Sequence, residues 1–432
     1  MSNKLKVLVI GGGGREHALV WSLGKSKRVS EVVCAPGNGG IAKLARCVAV
    51  DAGNLADLVR VVEAERPALT VIGPELPLSV GVVDELQRRG FRVFGPTQAA
   101  AQLETSKAFA KEFMRQYEIP TAAYSVCTTL DEVRDELRSF SVPVVVKADG
   151  LAAGKGVVIC NTHHEAEAAA AQMFSGILLG VEETEVVLEE FLDGEELSFF
   201  ALCDGRHAVP IAAAQDHKRV GEGDTGPNTG GMGAYSTDAL MSPELRDWLT
   251  KHVAQKAVDG MRENGDPFVG ILFCGIMMTQ RGPMVLEFNT RFGDPETQTL
   301  MMRLETDIVD LFEAAIDGTA DKLHIAMRPG ASVCVIAASG GYPGKYPSGK
   351  VISGLESGAG TDADVYVFHS GTAVKDGAFV TAGGRVLGIT AVSSAGLEDA
   401  LAKAYTQVGK ISFEGMQYRR DIGWRALQKE QV

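Results

Sequence analysis

Two oxygen-bearing side chains alternate along a predicted strand near residue 288. In the run LEFNTRFGDPETQ, Glu287 and Asn289 lie two residues apart, so they project from the same face of a strand. Carboxylate and amide oxygens suit Mg²⁺, which keeps coordination positions open for phosphate oxygens. Arg291 follows on the same spacing and could offset charge on a carboxylate or a developing acyl phosphate. The pattern predicts a magnesium–phosphate site, with an ion pair as the alternative role for a glutamate within an apolar strand.

A glycine-rich loop between two predicted strands is a second candidate for binding phosphate. The run VPVVVKADGLAAGKGVVIC reads as strand, loop and strand, and we expect Gly154, Lys155 and Gly156 to form part of a flexible lid. Lys147 ends the first strand and supplies neutralising charge. The loop is not a Walker A motif, because neither Ser nor Thr follows Lys155. An ordinary hairpin with solvated lysines is the alternative for this segment taken alone.

Two further segments carry polar groups suited to a nucleotide or to substrates. In VVLEEFLDGEELSFF, the backbone from Glu189 to Leu192 could read an adenine edge, and a carboxylate beyond the turn could accept both ribose hydroxyls. The alternative is a charged edge hairpin. The run QDHKRVGEGDTGPNTGGMGAY lacks apolar periodicity and is predicted to be a long irregular loop. Four of its residues could contact phosphates or substrate amines: Asp216, Lys218, Asp224 and Asn228. The alternative is that the charged side chains of this loop are simply solvated.

The first predicted strand leads into GGGGREHAL, which invites comparison with dinucleotide-binding loops. The G-x-G-x-x-G template fails in both registers, because Glu16 or His17 stands where the third glycine belongs. The second strand ends in CAPGN and lacks the acidic residue that would bind a ribose diol. A dinucleotide site is therefore disfavoured. The loop could bind a single phosphate or small anion at a helix N-terminus, or it could be a structural turn.

The predicted elements divide the chain into three regions. Strands alternate with helices up to about Leu103, which predicts a doubly wound parallel sheet whose loops at the carboxyl ends of the strands form a binding rim. A helix from Gln98 to Tyr117 leads into a mixed α+β region with a further helix predicted around Thr299 to Asp317, and the chain becomes strand-rich again after Arg328. We predict an N-terminal α/β domain at 1–103, a central domain at 104–327 with a hinged lid at about 122–192, and a strand-rich C-terminal domain at 328–432.

Composition limits the possible partners and compartments. The chain has 432 residues and a net charge of -13, which disfavours nucleic acid but not small phosphate compounds. Its seven cysteines show no C-x-x-C pair, so neither a zinc site nor a disulfide framework is indicated. No apolar run approaches the roughly 18 residues of a membrane helix. We expect a cytoplasmic protein without membrane or nucleic-acid partners, either a monomer or a small homo-oligomer.

Taken in order, the motifs resemble those of the ATP-grasp superfamily and, more closely, of the phosphoribosylamine-glycine ligase (glycinamide ribonucleotide synthetase) family. They are Lys107 on a helix, KADGLAAGKGV, EEFLDGEE, DHKR with GPNTGGMGAY, and EFNTRFGDPETQ. The resemblance extends from VLVIGGGGREHAL to RRDIGWRAL and covers nearly the whole chain. QDHKR and GPNTGGMGAY look specific to the ligase family, whereas the glycine loop and the Glu287–Asn289 pair are shared across the superfamily.

The resemblance implies roles for individual residues. For ATP these are Lys107 and Lys147 at the phosphates, Gly154, Lys155 and Gly156 in the lid, Glu189, Phe191 and Leu192 at the adenine, and Glu196 at the ribose. It implies magnesium (or manganese) at Glu287 and Asn289, and charge neutralisation by Lys147, Lys218 and Arg291. The preceding strand, FCGIMMT, lacks the additional acidic ligand of many superfamily members, so the number of ions stays open. The substrate-binding candidates are Gly12, Gly13, Gly14, Gly37, Asn38, Glu75, Asp216, Asn228, Asp294 and Arg385.

The reaction that the resemblance implies proceeds through glycyl phosphate. Glycine's carboxylate would attack the γ-phosphate of ATP, and the amine of 5-phospho-D-ribosylamine would then attack the carbonyl and expel phosphate. The product would be glycinamide ribonucleotide, an intermediate of de novo purine biosynthesis. Two alternatives remain open: another ATP-grasp ligase acting on a purine-pathway ribonucleotide and, more distantly, a dinucleotide-dependent oxidoreductase.

Overall fold

The N-terminal region is built on a parallel sheet. A computed structural model describes residues 4–151, 156–177, 185–355 and 363–430 of the chain. The first strands are β1 (Leu5–Gly11), β2 (Val29–Pro36), β3 (Arg46–Cys47), β4 (Leu69–Ile72) and β5 (Val93–Phe94), and the first helices are α1 (Gly14–Lys25), α2 (Leu55–Glu65), α3 (Glu75–Ser79) and α4 (Val82–Arg88). The strand order is β3-β2-β1-β4-β5, with every pairing parallel. The central strand β1 is apolar on both faces because helices cover both, which confirms the doubly wound arrangement.

A separate antiparallel sheet follows. Its strands are β6 (Tyr124–Cys127), β7 (Val144–Ala148), β8 (Val157–Cys160) and β9 (Val186–Glu190), in the order β6-β9-β7-β8. Helices α7 (Leu130–Glu136) and α8 (His163–Phe174) pack on it and give it a hydrophobic core of its own. This sheet occupies most of the segment predicted as the lid.

An eight-stranded sheet forms the body of the molecule. Its strands are β10 (Glu195–Asp204), β11 (Ala208–Asp216), β14 (Gly233–Thr237), β15 (Val269–Thr279), β16 (Gly282–Asn289), β17 (Ala331–Ala338), β18 (Val365–His369) and β21 (Arg385–Ser393). The order is β16-β15-β10-β11-β14-β17-β21-β18, so the C-terminal strands continue the central sheet. Two small ladders pair β12 (Arg219–Gly221) with β13 (Thr225–Asn228) and β19 (Thr372–Lys375) with β20 (Ala378–Thr381).

Helices cover both faces of this sheet. They are α5 (Gln102–Thr105), α6 (Lys107–Gln116), α9 (Pro243–Leu249), α10 (Gln255–Glu263), α11 (Glu296–Arg303), α12 (Ile308–Ile316), α13 (Leu397–Val408) and α14 (Trp424–Glu430). Along β10, Phe199 packs with α6 and α10, whereas Phe200 packs with α11 and α12, as strand alternation requires. No helix within the described ranges is long and apolar enough to cross a membrane.

Three predicted elements were wrong in detail. The helix expected from Gln98 to Tyr117 is interrupted at Ser106, whose extended backbone caps α6 while its Oγ accepts a 3.0 Å hydrogen bond from Phe109 N. A second helix, expected from Thr299 to Asp317, is likewise divided, because Asp307 caps α12. The expected irregular loop contains the β12–β13 ladder and strand β14, which backbone pairing forms without apolar alternation.

Three buried histidines make the fold sensitive to acid. Burial lowers the pKa of His17 and of His217 to about 3 and that of His369 to about 4. Each histidine binds a proton near pH 6.5 in the unfolded chain. The contribution of the three neutral histidines to the free energy of unfolding is therefore fully present above about pH 6.5 and is lost as the pH falls towards 4. The expected slope is at most about 1.4 kcal/mol per pH unit for each histidine.

The variant His17→Gln is expected to flatten this acid dependence. Glutamine retains an acceptor for the backbone N–H of His369, which lies 2.7 Å from His17 Nδ1, but it cannot take up the proton. Urea unfolding midpoints measured between pH 4 and pH 7 would test the effect. The control is His324→Gln, at an exposed position, which should follow the wild type. Parallel curves for wild type and His17→Gln would contradict the assignment.

Candidate functional site

A buried carboxylate with two lysines lies between helix α6 and the four-stranded sheet. Lys147, near the end of β7, and Lys111, on α6, each place Nζ 2.8 Å from an oxygen of Glu189 on β9. Burial alone raises the pKa of Glu189, but Lys147 and Lys111 outweigh it and hold this pKa below its usual range. The sequence predictions did not include Lys111, although it lies one helical turn beyond Lys107 on the same helix face.

Helix α6 begins against the glycine loop. Lys107 Nζ donates a 2.8 Å hydrogen bond to Gly150 O, and the carboxylate of Asp149 accepts one of 3.0 Å from Ala108 N. Gly156 is buried, and its carbonyl accepts from Ala148 N at 2.8 Å. The other two lid candidates, Gly154 and Lys155, lie outside the described residues. The phosphate candidates Lys107 and Lys147 therefore flank the start of the predicted loop.

The adenine candidates occupy the exit of β9. Phe191 and Leu192 follow directly after this strand, where the chain crosses towards β10. Leu192 is buried and Phe191 is half-buried. Glu196, the ribose candidate, lies on β10 and forms an ion pair with Lys218. A ribose at Glu196 would therefore share this carboxylate with the lysine.

Lys218 lies among several carboxylates beyond the end of β11. Burial lowers its pKa, but Glu196, Asp216 and Glu287 together raise it well above the ordinary value, so the ammonium group is retained. Asp216 shows the opposite balance: burial, with Glu296 and other neighbouring carboxylates, outweighs Lys218 and raises its pKa to about 8. The cluster can therefore neutralise an anion through Lys218, while the Asp216 carboxyl, mainly protonated at neutral pH, can exchange hydrogen bonds with an amine.

Glu287 and Asn289 lie on β16 of the eight-stranded sheet, and Lys147 of the four-stranded sheet is among the electrostatic neighbours of Glu287. Burial raises the pKa of Glu287, but Lys218, Lys147 and Lys107 lower it below the usual range, so the carboxylate is ionised. Asn289 is buried, and its Nδ2 has no hydrogen-bond partner in the part of the chain that is described. The ionised carboxylate fits a hard cation that binds oxygen ligands, whereas the Nδ2 donor of Asn289 suits an oxygen acceptor such as a phosphate.

Arg291 joins the central and N-terminal regions. Its guanidinium lies 2.6 Å from Glu104 Oε1 and 3.2 Å from Glu75 Oε2, and it donates a 3.2 Å hydrogen bond to Asn289 Oδ1. Glu104 also accepts from Thr290 N at 2.7 Å. The substrate candidate Glu75 is therefore already paired with arginine, and the N-terminal rim adjoins the Glu287–Asn289 pair.

The candidates in the N-terminal loop Gly12–Gly14 lie close to Asp294. Arg15 N donates to Asp294 Oδ2 at 3.3 Å, and Arg385 Nη2 lies 3.6 Å from the same oxygen. A Cβ at Gly14 would lie 2.5 Å from Gln298 Nε2 and 2.5 Å from Ser370 Oγ, so only glycine fits there. Gln298 and Ser370 were missed by the sequence predictions, and each has a buried polar atom that lacks a partner within the described ranges.

The other substrate candidates have structural partners. Asn38 donates 2.8 Å hydrogen bonds to Gly12 O and His369 O, and its Oδ1 accepts from two backbone amides. A Cβ at Gly12 would lie 2.5 Å from Gly37 O, which explains the close approach of these two loops. Gly13 N donates to Glu16 Oε2 at 2.6 Å. Asn228 ends β13, where its backbone pairs with that of Arg219.

Comparisons with known proteins agree with this architecture. Three family models match: the N domain of phosphoribosylglycinamide synthetase at residues 5–104, its ATP-grasp (A) domain at 105–297 and its C domain at 332–425. A curated relative from Xanthomonas axonopodis pv. citri, named phosphoribosylamine–glycine ligase, is 50% identical over 430 residues, covering 99% of each chain.

Solved structures show the same fold. The phosphoribosylamine–glycine ligase of Thermotoga maritima is 34% identical with a TM-score of 0.86, covering 96% of this chain and 100% of its own. The biotin carboxylase domain of 2-oxoglutarate carboxylase from Hydrogenobacter thermophilus, solved with MgADP and bicarbonate, has a TM-score of 0.75 at 17% identity, covering 96% and 92%. This second likeness shows the fold alone. Both the expected fold class and the family resemblance are confirmed, and the chain belongs to the phosphoribosylglycinamide synthetase family.

Proposed function

We propose that this chain joins glycine to 5-phospho-D-ribosylamine and converts ATP to ADP and phosphate. The observation that carries the proposal is the convergence of Lys107, Lys147 and Lys218 on the ionised Glu287. These lysines come from helix α6, strand β7 and the segment after β11, so three separate elements place cationic groups near one carboxylate. Such an arrangement suits a triphosphate bound with a cation. Family membership supports the choice of substrates.

Activation of glycine is the first chemical step. One carboxylate oxygen of glycine forms a bond to the γ-phosphorus of ATP as the bond to the β,γ-bridging oxygen breaks, giving glycyl phosphate and ADP. Lys147 and Lys107 would hold the phosphates, Lys218 and Arg291 would offset the negative charge, and no covalent bond to the protein is needed. We assign adenine to the backbone at Glu189, Phe191 and Leu192, and ribose to Glu196.

Amide formation is the second step. The phosphoribosylamine nitrogen attacks the carbonyl carbon of glycyl phosphate, the carbon–oxygen bond to phosphate breaks, and the proton lost by the nitrogen passes to the released phosphate. Asp216 is suited to bind the neutral amine, because its carboxyl is mainly protonated at neutral pH and its carbonyl oxygen can accept a hydrogen bond from the amine N–H. The glycine loop at Gly12–Gly14, together with Asp294 and Arg385, is proposed to bind the sugar phosphate. Gly37, Asn38 and Glu75 would shape this rim, and Asn228 would contribute from the β12–β13 ladder.

Magnesium would be held by Glu287 and Asn289. When bound, the ion supplies neutralisation of phosphate charge, and manganese could take the same oxygen ligands. The lid, with Gly154, Lys155 and Gly156, would exclude water from glycyl phosphate.

The proposal also covers the domain boundaries and the location of the protein. The chain would divide into domains at 1–103, 104–327 and 328–432, with a lid at about 122–192, and the protein would be cytoplasmic.

The deciding assay supplies ATP, Mg²⁺ and freshly formed phosphoribosylamine, and follows ADP release. Glycine should drive turnover, and alanine should be at least about tenfold poorer because its methyl group must be accommodated. Formate or bicarbonate with a purine ribonucleotide driving turnover instead would favour the other ATP-grasp ligase. A nicotinamide absorbance change would revive the oxidoreductase.

A further inference from the structure

Lys111 is a buried cation to which the proposed reaction assigns no role. Its side chain is 2% exposed, and Nζ lies 2.8 Å from Glu189 Oε2 and donates a 2.7 Å hydrogen bond to Thr121 Oγ1. The hydroxyl of Thr121 in turn donates to Val285 O at 2.6 Å. The ammonium group is therefore held by two side chains, one of which is anchored to the strand that carries Glu287.

The charges in this cluster do not balance. Glu189 Oε1 lies 2.8 Å from Lys147 Nζ while Oε2 lies 2.8 Å from Lys111 Nζ, so one carboxylate serves two ammonium groups. Both lysines and Glu189 are buried, and these three groups together carry one net positive charge in a poorly solvated region. Glu287 offsets this charge electrostatically but forms no ion pair with either lysine among the described contacts, so a phosphate at Lys147 would supply a direct counterion. Lys147 is more exposed than Lys111, so the open side of the cluster is at Lys147.

The three charged groups also lie on separate parts of the fold. Glu189 and Lys147 belong to the four-stranded sheet, which has its own hydrophobic core. Lys111 belongs to α6, which packs in the core of the eight-stranded sheet. Lys111 therefore connects the carboxylate beneath Lys147 to the body that carries Glu287.

We propose that Lys111 is a positioning residue for the triphosphate of the bound nucleotide. By holding one oxygen of Glu189, Lys111 keeps the positive charge of Lys147 available to a phosphate. Without Lys111, Glu189 would neutralise Lys147 fully, and the excess positive charge would disappear. The inference rests on the proposed ATP site but not on the identity of the other two substrates.

The test compares Lys111→Met, Glu189→Gln and the double variant. Lys111→Met should weaken nucleotide affinity on the order of tenfold, the value of one charge-assisted contact. The double variant removes one charge of each sign and restores the single excess positive charge, so its affinity should return to within about threefold of the wild type. Lys111→Arg keeps the charge and should also stay within about threefold. Lys256→Met, at a partly exposed helix position, is the control.

Binding is measured by calorimetric titration of a non-hydrolysable ATP analogue with Mg²⁺, without glycine or phosphoribosylamine. Steady-state assays then separate KM for ATP, which should rise in Lys111→Met, from KM for glycine, which should not. A failure of the substrate assignment would leave the titrations interpretable. Equal affinity in Lys111→Met and wild type, or additive losses in the double variant, would overturn the proposal. If Lys111→Met does not fold, the double variant and Lys111→Arg still decide, since weak binding by both would indicate a packing role.

Discussion

Replacing Glu287 by glutamine is expected to lower turnover by about a hundredfold to a thousandfold, the usual effect of removing one preorganised electrostatic group. The substitution preserves size and removes charge. Lys107, Lys147 and Lys218 keep the Glu287 carboxylate ionised, so the neutral glutamine side chain differs in charge from the native one. ADP release at saturating substrates measures the loss, and a magnesium titration should show a weakened dependence on the ion.

The matched control is Glu244→Gln, at an exposed position on α9. It removes one negative charge from the same chain but lies outside the proposed site, so its turnover and magnesium dependence should equal those of the wild type. An unaltered magnesium titration in Glu287→Gln, together with turnover within twofold of normal, would refute the proposed metal ligand.

Replacing Arg291 by methionine is expected to reduce both stability and turnover. Glu104 and Glu75 would lose their shared cation, and breaking a buried ion pair costs about 3 kcal/mol or more. Turnover should fall by about a hundredfold or more because charge near the proposed acyl phosphate is lost. Urea unfolding midpoints and ADP release measure the two effects separately.

Two further variants separate folding from function. Arg291→Met combined with Glu104→Gln removes one unpaired carboxylate and should regain part of the stability, but not the turnover. Arg281→Met breaks an exposed pair with Glu190 at 2.8 Å and should change stability by less than about 1 kcal/mol. If Arg291→Met unfolded at the wild-type urea concentration, the buried pairing with Glu104 and Glu75 would not be stabilising.

The local part of the site was predictable from sequence, whereas contacts between distant segments were not. The alternation of Glu287 and Asn289 along an apolar run is a property of a few neighbouring residues, and β16 carries both as expected. Glu104 is different, because its partner Thr290 lies 186 residues away and no local pattern joins them. Lys111 is intermediate: its helix face could be predicted, but its partner Glu189 depends on how β9 packs against α6.

Element boundaries failed where the backbone, not apolar spacing, decides the structure. The second part of each divided helix begins after an N-capping residue, Ser106 or Asp307, that also fits within a continuous helical pattern. The ladder of β12 and β13 contains glycine at positions where strands usually carry larger residues. Composition correctly indicated a polar segment there, but it could not show that its amides and carbonyls pair with each other.

Continuity of the eight-stranded sheet has a mechanical consequence. Strand β14 pairs with β17 from Gly233 opposite Val335 to Thr237 opposite Ala331, so hydrogen bonds bridge the boundary between the central and C-terminal regions. Rotation of the C-terminal region against the central region would therefore break the hydrogen bonds between β14 and β17. A chain truncated so that it ends before residue 331 would expose the edge of β14, with which unpaired strands of other molecules could pair. The C-terminal strands are therefore an integral part of the platform on which the nucleotide candidates rest.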